Sequence, residues 1–274
     1  MQRLAEARCL MFVPGDRPDR FERAFASAAD VVVLDLEASI APARKATART
    51  GVVAALAPHA IAPARVVRVN PPHSDDFTAD AALLHAHHCD GAILTMVESA
   101  ADVDACRQRL PAGLPLIALV ETAAGIAAAQ AIARAEGVVR LAFGNMDYQT
   151  DTGTSGDCAM AYPSSVLVVA SRAAQLPAPI AGVTAAFRDA AQLARDLAFE
   201  RSLGFGAKLC IHPDQVAPTI AAFTASAAEL AWAERVLAAA CDSHAVALDG
   251  ELVDRPVIER ARRLLARAGR EQPR

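Results

Sequence analysis

Two carboxylates follow apolar, strand-like runs in the middle of the chain. Glu121 comes directly after residues 116–120, and Asp147 comes shortly after residues 138–143. If these strands are parallel neighbours, both side chains face one cavity at the carboxyl ends of the strands. Two hard oxygen ligands with coordination positions left over describe a Mg²⁺ site that also holds a substrate. The alternative is that each residue only caps the helix that follows it.

Further polar residues lie at the ends of other predicted strands. Glu37 ends the second apolar run, Arg68 lies near the end of the third, and His212 follows the eighth. The carboxyl ends of strands share one rim in a parallel barrel, and the active sites of such barrels form at that rim. Their convergence favours a catalytic role, although Arg68 could instead form a structural ion pair with Glu37 or Asp35.

Apolar runs alternate with helix-like segments over most of the chain. The predicted strands are residues 8–13, 31–37, 66–70, 92–96, 116–121, 138–144, 179–183 and 206–213. Eight strands alternating with helices, about 25 residues apart, predict a single (β/α)₈ barrel, assigned to residues 1–223. Residues 150–157 are polar and are predicted to form a loop. A doubly wound open sheet is the alternative, because periodicity cannot show closure.

The remaining residues, 224–274, are predicted to form C-terminal helices and a lid. The lid contains a hairpin with Asp249-Gly250 at its turn, followed by a helix from Pro256. An Asp-Gly pair between two short apolar runs is a strong hairpin signal. We therefore expect two regions, a barrel and a smaller C-terminal region.

Composition limits the class of protein. The chain has 274 residues, of which 54% are apolar and 4% aromatic, so Ala, Val and Leu must fill a sizeable core. A net charge of −4 argues against nucleic acid as a partner. No apolar run reaches the ~18 residues of a membrane span. Six scattered cysteines without a Cys-x-x-Cys motif predict a cytoplasmic protein with free thiols.

Eight segments, taken together and in order, resemble one known family. The chain is similar to the citrate lyase β-subunit-like family of Mg²⁺-dependent acyl-CoA lyases, in the HpcH/HpaI aldolase superfamily that also includes malyl-CoA and citramalyl-CoA lyases. The matching segments are residues 12–18, 34–37, 67–70, 97–100, 119–125, 143–147, 210–215 and 248–256. The resemblance implies a (β/α)₈ barrel that assembles as a homotrimer or a multiple of one.

The resemblance also implies where the metal and the substrate bind. Glu121 and Asp147 would bind Mg²⁺, and Glu121 would lie beside the substrate. Backbone amides of Gly144, Asn145 and Met146 would bind the keto-acid part of a CoA thioester. These assignments come from the family, and they agree with the Mg²⁺ site predicted from the two strand ends.

Four further residues receive roles from the family. Arg68 would hold the substrate carboxylate, Glu37 would be a second acid near the metal, and Arg17 would meet the CoA phosphates. Asp254 would act in acid–base catalysis from a lid that closes over the site of a neighbouring subunit. Its position before Pro256 would also allow it to be only a helix cap.

Departures from the family pattern bear on the substrate. Ala38, Met96, Ser164 and Ala181 replace residues that are usually charged in the family. If Ala38, Met96 and Ala181 face the cavity, they make it less polar, and the extra carboxylate of citryl-CoA would lack a partner. We therefore predict cleavage of citramalyl-CoA to acetyl-CoA and pyruvate, ranked ahead of malyl-CoA and then citryl-CoA.

Three alternatives remain for the activity. The chain could be a lyase subunit that needs acyl-carrier and transferase partners, or a non-catalytic paralogue that binds CoA esters. Lys208 also raises the possibility of a Schiff-base aldolase, since a desolvated lysine attacks carbonyl groups. Its predicted place within a strand, and the metal route offered by the two carboxylates, argue against this.

Overall fold

A computed structural model describes residues 2–57, 63–240, 246–248 and 251–269. Contacts divide the chain into two compact units, residues 1–221 and 222–274. Each unit is described by itself. Among the helices in the described ranges, none has both the length and the apolar sequence that crossing a membrane requires.

Eight parallel strands close into a barrel in the first unit. Their neighbours follow chain order, and the eighth strand pairs with the first, Leu10 lying opposite Leu209. The strands are β1 (Cys9–Pro14), β2 (Val31–Asp35), β3 (Ala64–Val69), β4 (Gly91–Leu94), β5 (Leu116–Val120), β6 (Val138–Phe143), β7 (Ile180–Ala181) and β8 (Ala207–Cys210). The predicted (β/α)₈ barrel is therefore confirmed, and the open-sheet alternative is wrong.

Helices connect the strands and surround the barrel. They are α1 (Gln2–Glu6), α2 (Phe21–Phe25), α3 (Lys45–Ala55), α4 (Asp75–Ala86), α5 (Ala100–Arg107), α6 (Ala123–Ala133), α7 (Asn145–Thr152), α8 (Asp157–Ala173), α9 (Ala190–Leu203) and α10 (Val216–Phe223). Side chains cap several of them: Ser74, Ser99, Thr122 and Asp189 each accept a hydrogen bond from a first-turn amide. Such caps satisfy amides that the helix itself leaves unpaired.

The barrel interior is packed with aliphatic side chains. All five residues of β2 and all five of β5 are buried, as expected for parallel strands covered on both sides. Inward-facing residues include Val33, Val66, Ile93, Ile117, Leu119 and Leu209. The core is therefore built almost without aromatic rings, as the composition predicted.

The polar segment at 150–157 differs from its prediction. Instead of one long loop, α7 continues to Thr152 and α8 begins at Asp157. Gly153 ends α7 in a left-handed conformation with φ of 67°, which glycine adopts at little cost. The sequence rule that reads Gly, Ser, Thr and Asp as loop residues missed the helical turns on either side of that glycine.

The described part of the second unit contains two helices and a two-stranded sheet. Its elements are α11 (Ala227–Ala239), β9 (Val246–Leu248), β10 (Glu251–Val253) and α12 (Arg255–Arg267), and β9 and β10 pair antiparallel. Ala233, Val236, Val253, Ala261 and Leu265 form its apolar core. The predicted turn at Asp249-Gly250 lies outside the described residues.

Candidate active site

A cavity of about 280 Å³ opens among the segments that follow the barrel strands. We call it the rim cavity. Six residues assigned to the site from sequence line it: Arg68, Glu121, Gly144, Asn145, Met146 and Asp147. The barrel brings them together because consecutive parallel strands place their carboxyl ends on the same rim.

Glu121 is a deeply buried carboxylate of the rim cavity. It follows β5 directly, is only 3% exposed, and its Oε1 accepts a hydrogen bond of 2.7 Å from the Met96 backbone amide. Gly144 packs against it so closely that a Cβ at position 144 would lie 2.6 Å from Glu121 Oε2. Glycine is therefore required at position 144 to leave room for the carboxylate.

The electrostatic environment of Glu121 favours a cation. Burial is the main cause that raises the pKa of its carboxyl to about 8, and the negative charges of Asp147 and Glu37 contribute to the rise. The hydrogen bond from the Met96 amide and the positive charge of Arg68 lower the pKa. A raised pKa means that the ionised form lacks compensating positive charge. A divalent cation beside Glu121 and Asp147 would supply that charge.

The set of oxygen donors fits Mg²⁺ with an open coordination shell. Asp147 lies in the first turn of α7, facing the same cavity as Glu121. The part of the chain that the structure describes contains no group of three or more His, Cys, Asp or Glu side chains arranged for a metal. Two protein carboxylates, with water and substrate completing the shell, is an arrangement that Mg²⁺ commonly takes.

The amino end of α7 adds hydrogen-bond donors to the cavity wall. No side chain caps this helix, and first-turn amides have no partner within a helix. The Gly144 amide is different, since it donates to Val120 O at 3.0 Å in continuation of the barrel ladder. The amides of Asn145 and Met146, rather than that of Gly144, are thus placed to bind an anion.

Arg68 forms a buried ion-pair network. It donates to Asp35 through two nitrogens, at 2.6 and 2.7 Å, and its third nitrogen lies 3.2 Å from Glu37 Oε2. Its guanidinium also stacks over the Phe12 ring at 4.6 Å. The pairing considered as an alternative for Arg68 is thus present, but Arg68 lines the rim cavity as well.

Two of the carboxyls around Arg68 respond differently to burial. Burial opposes ionisation of Asp35, but Arg68 and Ser39 outweigh it and hold the pKa of Asp35 below its ordinary value. Burial raises the pKa of Glu37, which is only partly offset by Arg68 and is increased by Asp35. Asp35 is therefore the firm counter-ion of Arg68, while Glu37 is held less strongly in its charged form.

Among the charged lining residues, sequence analysis named Asp35 only as a possible partner of Arg68 and assigned no role to Arg20. Asp35, the last residue of β2, is 1% exposed and anchors both Arg68 and the turn at Ser39. Arg20 lines the rim cavity from the segment after β1 and is exposed. The signals were an acid two residues before Glu37 and a second arginine three residues after Arg17.

Other predicted site residues lie elsewhere. Arg17 does not line the rim cavity and pairs with Asp19 at 2.8 Å. Asp254 belongs to the second unit, where it accepts a hydrogen bond of 3.4 Å from the Val257 amide and caps α12. The cap considered for Asp254 is therefore present, and its predicted catalytic role stays a prediction.

The residues that departed from the family pattern do not line the rim cavity. Met96 is 42% exposed, Ala38 is exposed, and Ala181 and Ser164 line a neighbouring cavity of about 350 Å³. The condition of the substrate argument, that Ala38, Met96 and Ala181 face the rim cavity, is therefore not met. The apolar part of the rim cavity comes instead from Phe12, Leu119, Phe143, Val183, Leu209 and Ile211.

Lys208 is unsuited to a Schiff base. Its side chain is fully buried, forms an ion pair with Glu200 and donates to Gly182 O at 2.8 Å. It does not line the rim cavity. A charged amine with both a carboxylate and a carbonyl as partners has a structural role, so the metal route is the one that the geometry supports.

Known proteins resemble this chain over nearly its whole length. The profile described as HpcH/HpaI aldolase/citrate lyase matches residues 8–213. A citrate lyase subunit beta-like protein of Mycobacterium tuberculosis is 36% identical over 94% of each chain. A (3S)-malyl-CoA thioesterase of Cereibacter sphaeroides is 32% identical, covering 95% of this chain and 94% of its own.

A solved structure shares the fold. The crystal structure of CitE from M. tuberculosis in complex with magnesium, acetoacetate and coenzyme A has a TM-score of 0.84 and 34% sequence identity. The match covers 97% of this chain and 99% of that one.

Proposed function

The chain belongs to the HpcH/HpaI aldolase/citrate lyase family, and we propose that it is a Mg²⁺-dependent lyase that breaks a carbon–carbon bond in a 3-hydroxy-3-carboxyacyl-CoA thioester. One observation carries the proposal. Glu121 and Asp147 face a cavity that also contains Arg68 and the uncapped amino end of α7. Cation ligands and anion donors thus meet in one place, as a chelating hydroxy-acid substrate requires.

Mg²⁺ is the cofactor in this proposal. Glu121 and Asp147 would hold it, in keeping with the need of Glu121 for positive charge. When bound, Mg²⁺ supplies a Lewis acid that lowers the pKa of the substrate hydroxyl and neutralises the charge that develops as the bond breaks. The related CitE crystal structure, described with magnesium and coenzyme A, supports this choice.

The protein groups position the substrate. The amides of Asn145 and Met146 donate to its carboxylate at the amino end of α7, and Arg68 attracts the same anion from across the cavity. Asp35 and Glu37 keep the guanidinium in place. Because Arg68 is already shared by two carboxylates, the substrate must rely on the metal and the helix amides as well.

The reaction needs one proton to leave and one to return. The substrate hydroxyl loses its proton, the carbon–carbon bond breaks and a keto acid forms. The bonding electron pair stays on acetyl-CoA as an enolate, which then takes up a proton. We assign both transfers to Asp254: its carboxylate takes the proton of the substrate hydroxyl and then gives it to the enolate carbon, acting from a C-terminal lid over a neighbouring subunit of a homotrimer or a multiple of one.

Citramalyl-CoA is the preferred substrate in this proposal because of the lining of the rim cavity. The rim cavity contains only two cations among the described residues, Arg68 and Arg20, and Arg68 is already paired twice. Its other lining is largely aliphatic or aromatic, including Val183, Leu209 and Ile211. A methyl group fits such a lining better than the additional carboxylate of citryl-CoA. Malyl-CoA, which lacks the methyl, ranks second.

Thioester hydrolysis is the second candidate activity. It is favoured by the relative named (3S)-malyl-CoA thioesterase, which is 32% identical to this chain. Hydrolysis would release CoA and the intact hydroxy acid, whereas the lyase reaction releases acetyl-CoA and a keto acid. The same cavity could serve either activity, so identification of the reaction products distinguishes the thioesterase from the lyase.

The test is a product analysis with the full-length protein. Citramalyl-, malyl- and citryl-CoA are each incubated with protein and Mg²⁺, and acetyl-CoA, keto acid, free CoA and hydroxy acid are followed by mass spectrometry. We expect acetyl-CoA and pyruvate from citramalyl-CoA, with activity lost in Asp147→Ala and without metal. Free CoA with intact hydroxy acid would favour the thioesterase. Faster turnover of citryl-CoA would overturn the substrate ranking.

A further inference from the structure

The side chain of Asn145 joins α7 to the segment that follows β7. Its Nδ2 donates to Val183 O at 3.0 Å, and its Oδ1 accepts a hydrogen bond of 2.9 Å from the Val183 amide. A primary amide carries a donor and an acceptor side by side, so it can pair with both backbone groups of one residue, as a neighbouring strand would. We call these two hydrogen bonds the Asn145 clamp.

The clamp lies where the ladder of the barrel is short. β7 consists only of Ile180–Ala181, and β6 pairs with it at a single position, Ala142 opposite Ile180. On its other side, β6 pairs with β5 along the whole of Leu116–Val120. The clamp therefore extends the attachment between the β6 and β7 segments beyond their backbone pairing, at the rim of the barrel.

The segment around Val183 is a firm anchor for this clamp. Gly182 O accepts a hydrogen bond of 2.8 Å from Lys208 Nζ, and Thr184 O accepts one of 2.9 Å from Gln215 Nε2. Lys208 belongs to β8, and Gln215 is buried in the segment after it. The residues on both sides of Val183 are thus held from the β8 side, so the clamp ties α7 to a fixed point of the barrel.

The place of Asp147 in the rim cavity depends on the backbone of α7. Glu121 is fixed through its own carboxylate, which accepts a backbone hydrogen bond, whereas the exposed carboxylate of Asp147 has no hydrogen bond or ion pair to another residue of the described ranges. Asn145 and Asp147 are the first and third residues of α7. Just before them, Gly144 is attached to β5 through its amide bond with Val120 O. The amino end of α7 thus has two attachments, one to β5 and one, through the clamp, to the segment after β7.

We propose that Asn145 is a positioning residue, whose clamp holds the first turn of α7 so that Asp147 can bind Mg²⁺ together with Glu121. The same turn presents the amides of Asn145 and Met146 to the substrate carboxylate. This inference rests on the proposed function in taking Asp147 as a Mg²⁺ ligand. Hydrogen bonds that support metal ligands typically change metal affinity by about 10- to 100-fold. The Asn145 side chain acts through the backbone of α7 and exchanges no proton in the reaction.

The test is the Mg²⁺ affinity of the folded, full-length protein, measured by calorimetric titration in the presence of pyruvate. We expect Asn145→Ala to weaken Mg²⁺ binding by about tenfold or more. In the product assay its kcat/KM should fall, and part of that loss should be recovered at high Mg²⁺ concentration, because mass action offsets weaker binding. A purely structural role would lower the stability to urea and leave the Mg²⁺ affinity of the folded protein unchanged, and that result would overturn the proposal.

Gly182→Ala breaks the clamp without altering Asn145. A Cβ at position 182 would overlap Asn145 Oδ1 and displace that side chain from Val183. Gly182→Ala should therefore weaken Mg²⁺ binding as Asn145→Ala does, and it keeps the proposal testable if Asn145→Ala does not fold. In the double variant the two losses should not add, because both changes remove the same pair of hydrogen bonds. Full additivity would assign the two effects to separate causes and would overturn the proposal.

Gln149→Ala is the matched control. Gln149 is also an amide on α7, but it donates to Met160 Sδ at 3.7 Å and does not line the rim cavity. The variant should leave the Mg²⁺ affinity and kcat/KM unchanged. An equal loss of Mg²⁺ affinity in Gln149→Ala would show that any truncation on α7 disturbs the metal site, and the assignment to Asn145 would fail.

The same titration separates failure of this inference from failure of the proposed function. If Asn145→Ala and Gly182→Ala bind Mg²⁺ as tightly as the wild type does, the inference is overturned and the proposed function stands. If no thioester is turned over but both variants bind Mg²⁺ more weakly than the wild type, the role of the clamp is supported and the lyase assignment fails. Wild-type protein without measurable Mg²⁺ binding would overturn both.

Discussion

The Met96 backbone amide donates to Glu121 Oε1 at 2.7 Å from a left-handed conformation, with φ of 52°. Residues other than glycine rarely adopt this conformation, and strained backbone often accompanies functional sites. The strain at Met96 thus orients a proposed metal ligand. The side chain of Met96 takes no part in this, since it does not line the rim cavity.

A matched pair of substitutions at position 96 separates backbone from side chain. Met96→Gly and Met96→Ala both remove the side chain, but only glycine relieves the left-handed conformation. We expect the glycine variant to be more stable than the alanine variant by about 1 kcal/mol. Both should keep the substrate ranking of the wild type. Urea unfolding measures the stability difference, and the product assay measures the substrate ranking. A changed substrate ranking in both variants would show that the Met96 side chain takes part in substrate selection.

Gly144→Ala should weaken Mg²⁺ binding by about tenfold or more, the scale on which disturbed metal-ligand support acts. The added Cβ would meet Glu121 at 2.4 Å and force its side chain to move. Gly153→Ala is the control, since a Cβ at position 153 meets nothing within 4 Å. That variant, at φ of 67°, should lose about 1 kcal/mol of stability with unchanged Mg²⁺ affinity. Calorimetric titration with Mg²⁺ and urea unfolding distinguish the two outcomes.

Arg68→Ala should destabilise the barrel strongly, by about 3–5 kcal/mol, because Asp35 would stay buried without its partner. Arg68→Lys should cost less stability but still lower kcat/KM, since lysine lacks the fork that holds two oxygens of Asp35. If Arg68→Lys retained full kcat/KM while Arg68→Ala was unstable, the role of Arg68 would be structural. Chemical unfolding and steady-state kinetics on the same preparations are the measurements.

The buried pair of Glu200 and Lys208 gives a pH-dependent prediction. Burial raises the pKa of Glu200 to about 7, although Lys208 acts against it, whereas an ordinary glutamate has 4.5. The unfolded chain releases this proton near pH 4.5 and the folded chain only near pH 7. The contribution of Glu200 to stability should therefore decline as pH rises between these values.

Variants of this pair isolate the effect. Glu200→Gln alone should destabilise at pH 8 by about 3–5 kcal/mol, because Lys208 would remain buried without its carboxylate. The double variant with Lys208→Met should recover much of that loss and should lack the pH-dependent slope. Thermal unfolding from pH 4.5 to 8 would show it. A slope equal to that of the wild type in the double variant would assign the pH dependence to other groups.

Ile211→Arg tests the basis of substrate preference. Ile211 lines the rim cavity and is 39% exposed, so an arginine there can pack its stem against the apolar lining and keep its charged head at the solvated side of the cavity. We expect kcat/KM for citryl-CoA to rise relative to citramalyl-CoA, because the extra carboxylate gains a partner. Ile211→Met, of similar volume and without charge, should preserve the wild-type ratio. An unchanged ratio in both variants would remove the apolar lining as the reason for the preference.

The sequence predicted the architecture well because its signals are local and repeated. Each apolar run in the barrel occupies a strand buried on both sides, and such strands read as continuous hydrophobic segments. The errors fall where local signals conflict, as in residues 150–157, where polar composition concealed the end of α7 and the start of α8. The short strand β7 was also predicted too long, with only Ile180–Ala181 paired.

The residue types of the candidate site were determined by the sequence itself. Glu121, Asp147 and Arg68 follow or end apolar runs, and strand order alone directs such residues to one rim of a barrel. Only the tertiary structure decided which groups form ion pairs with these residues and which side chains line the cavity beside them. Asp35 was recognised as a firm counter-ion only through its contacts with Arg68, and Met96, Ala38 and Ala181 were excluded from the cavity only by their positions. The reason is physical: the residue type fixes what a group can bind, but barrel closure and side-chain packing between residues distant in sequence decide which groups meet.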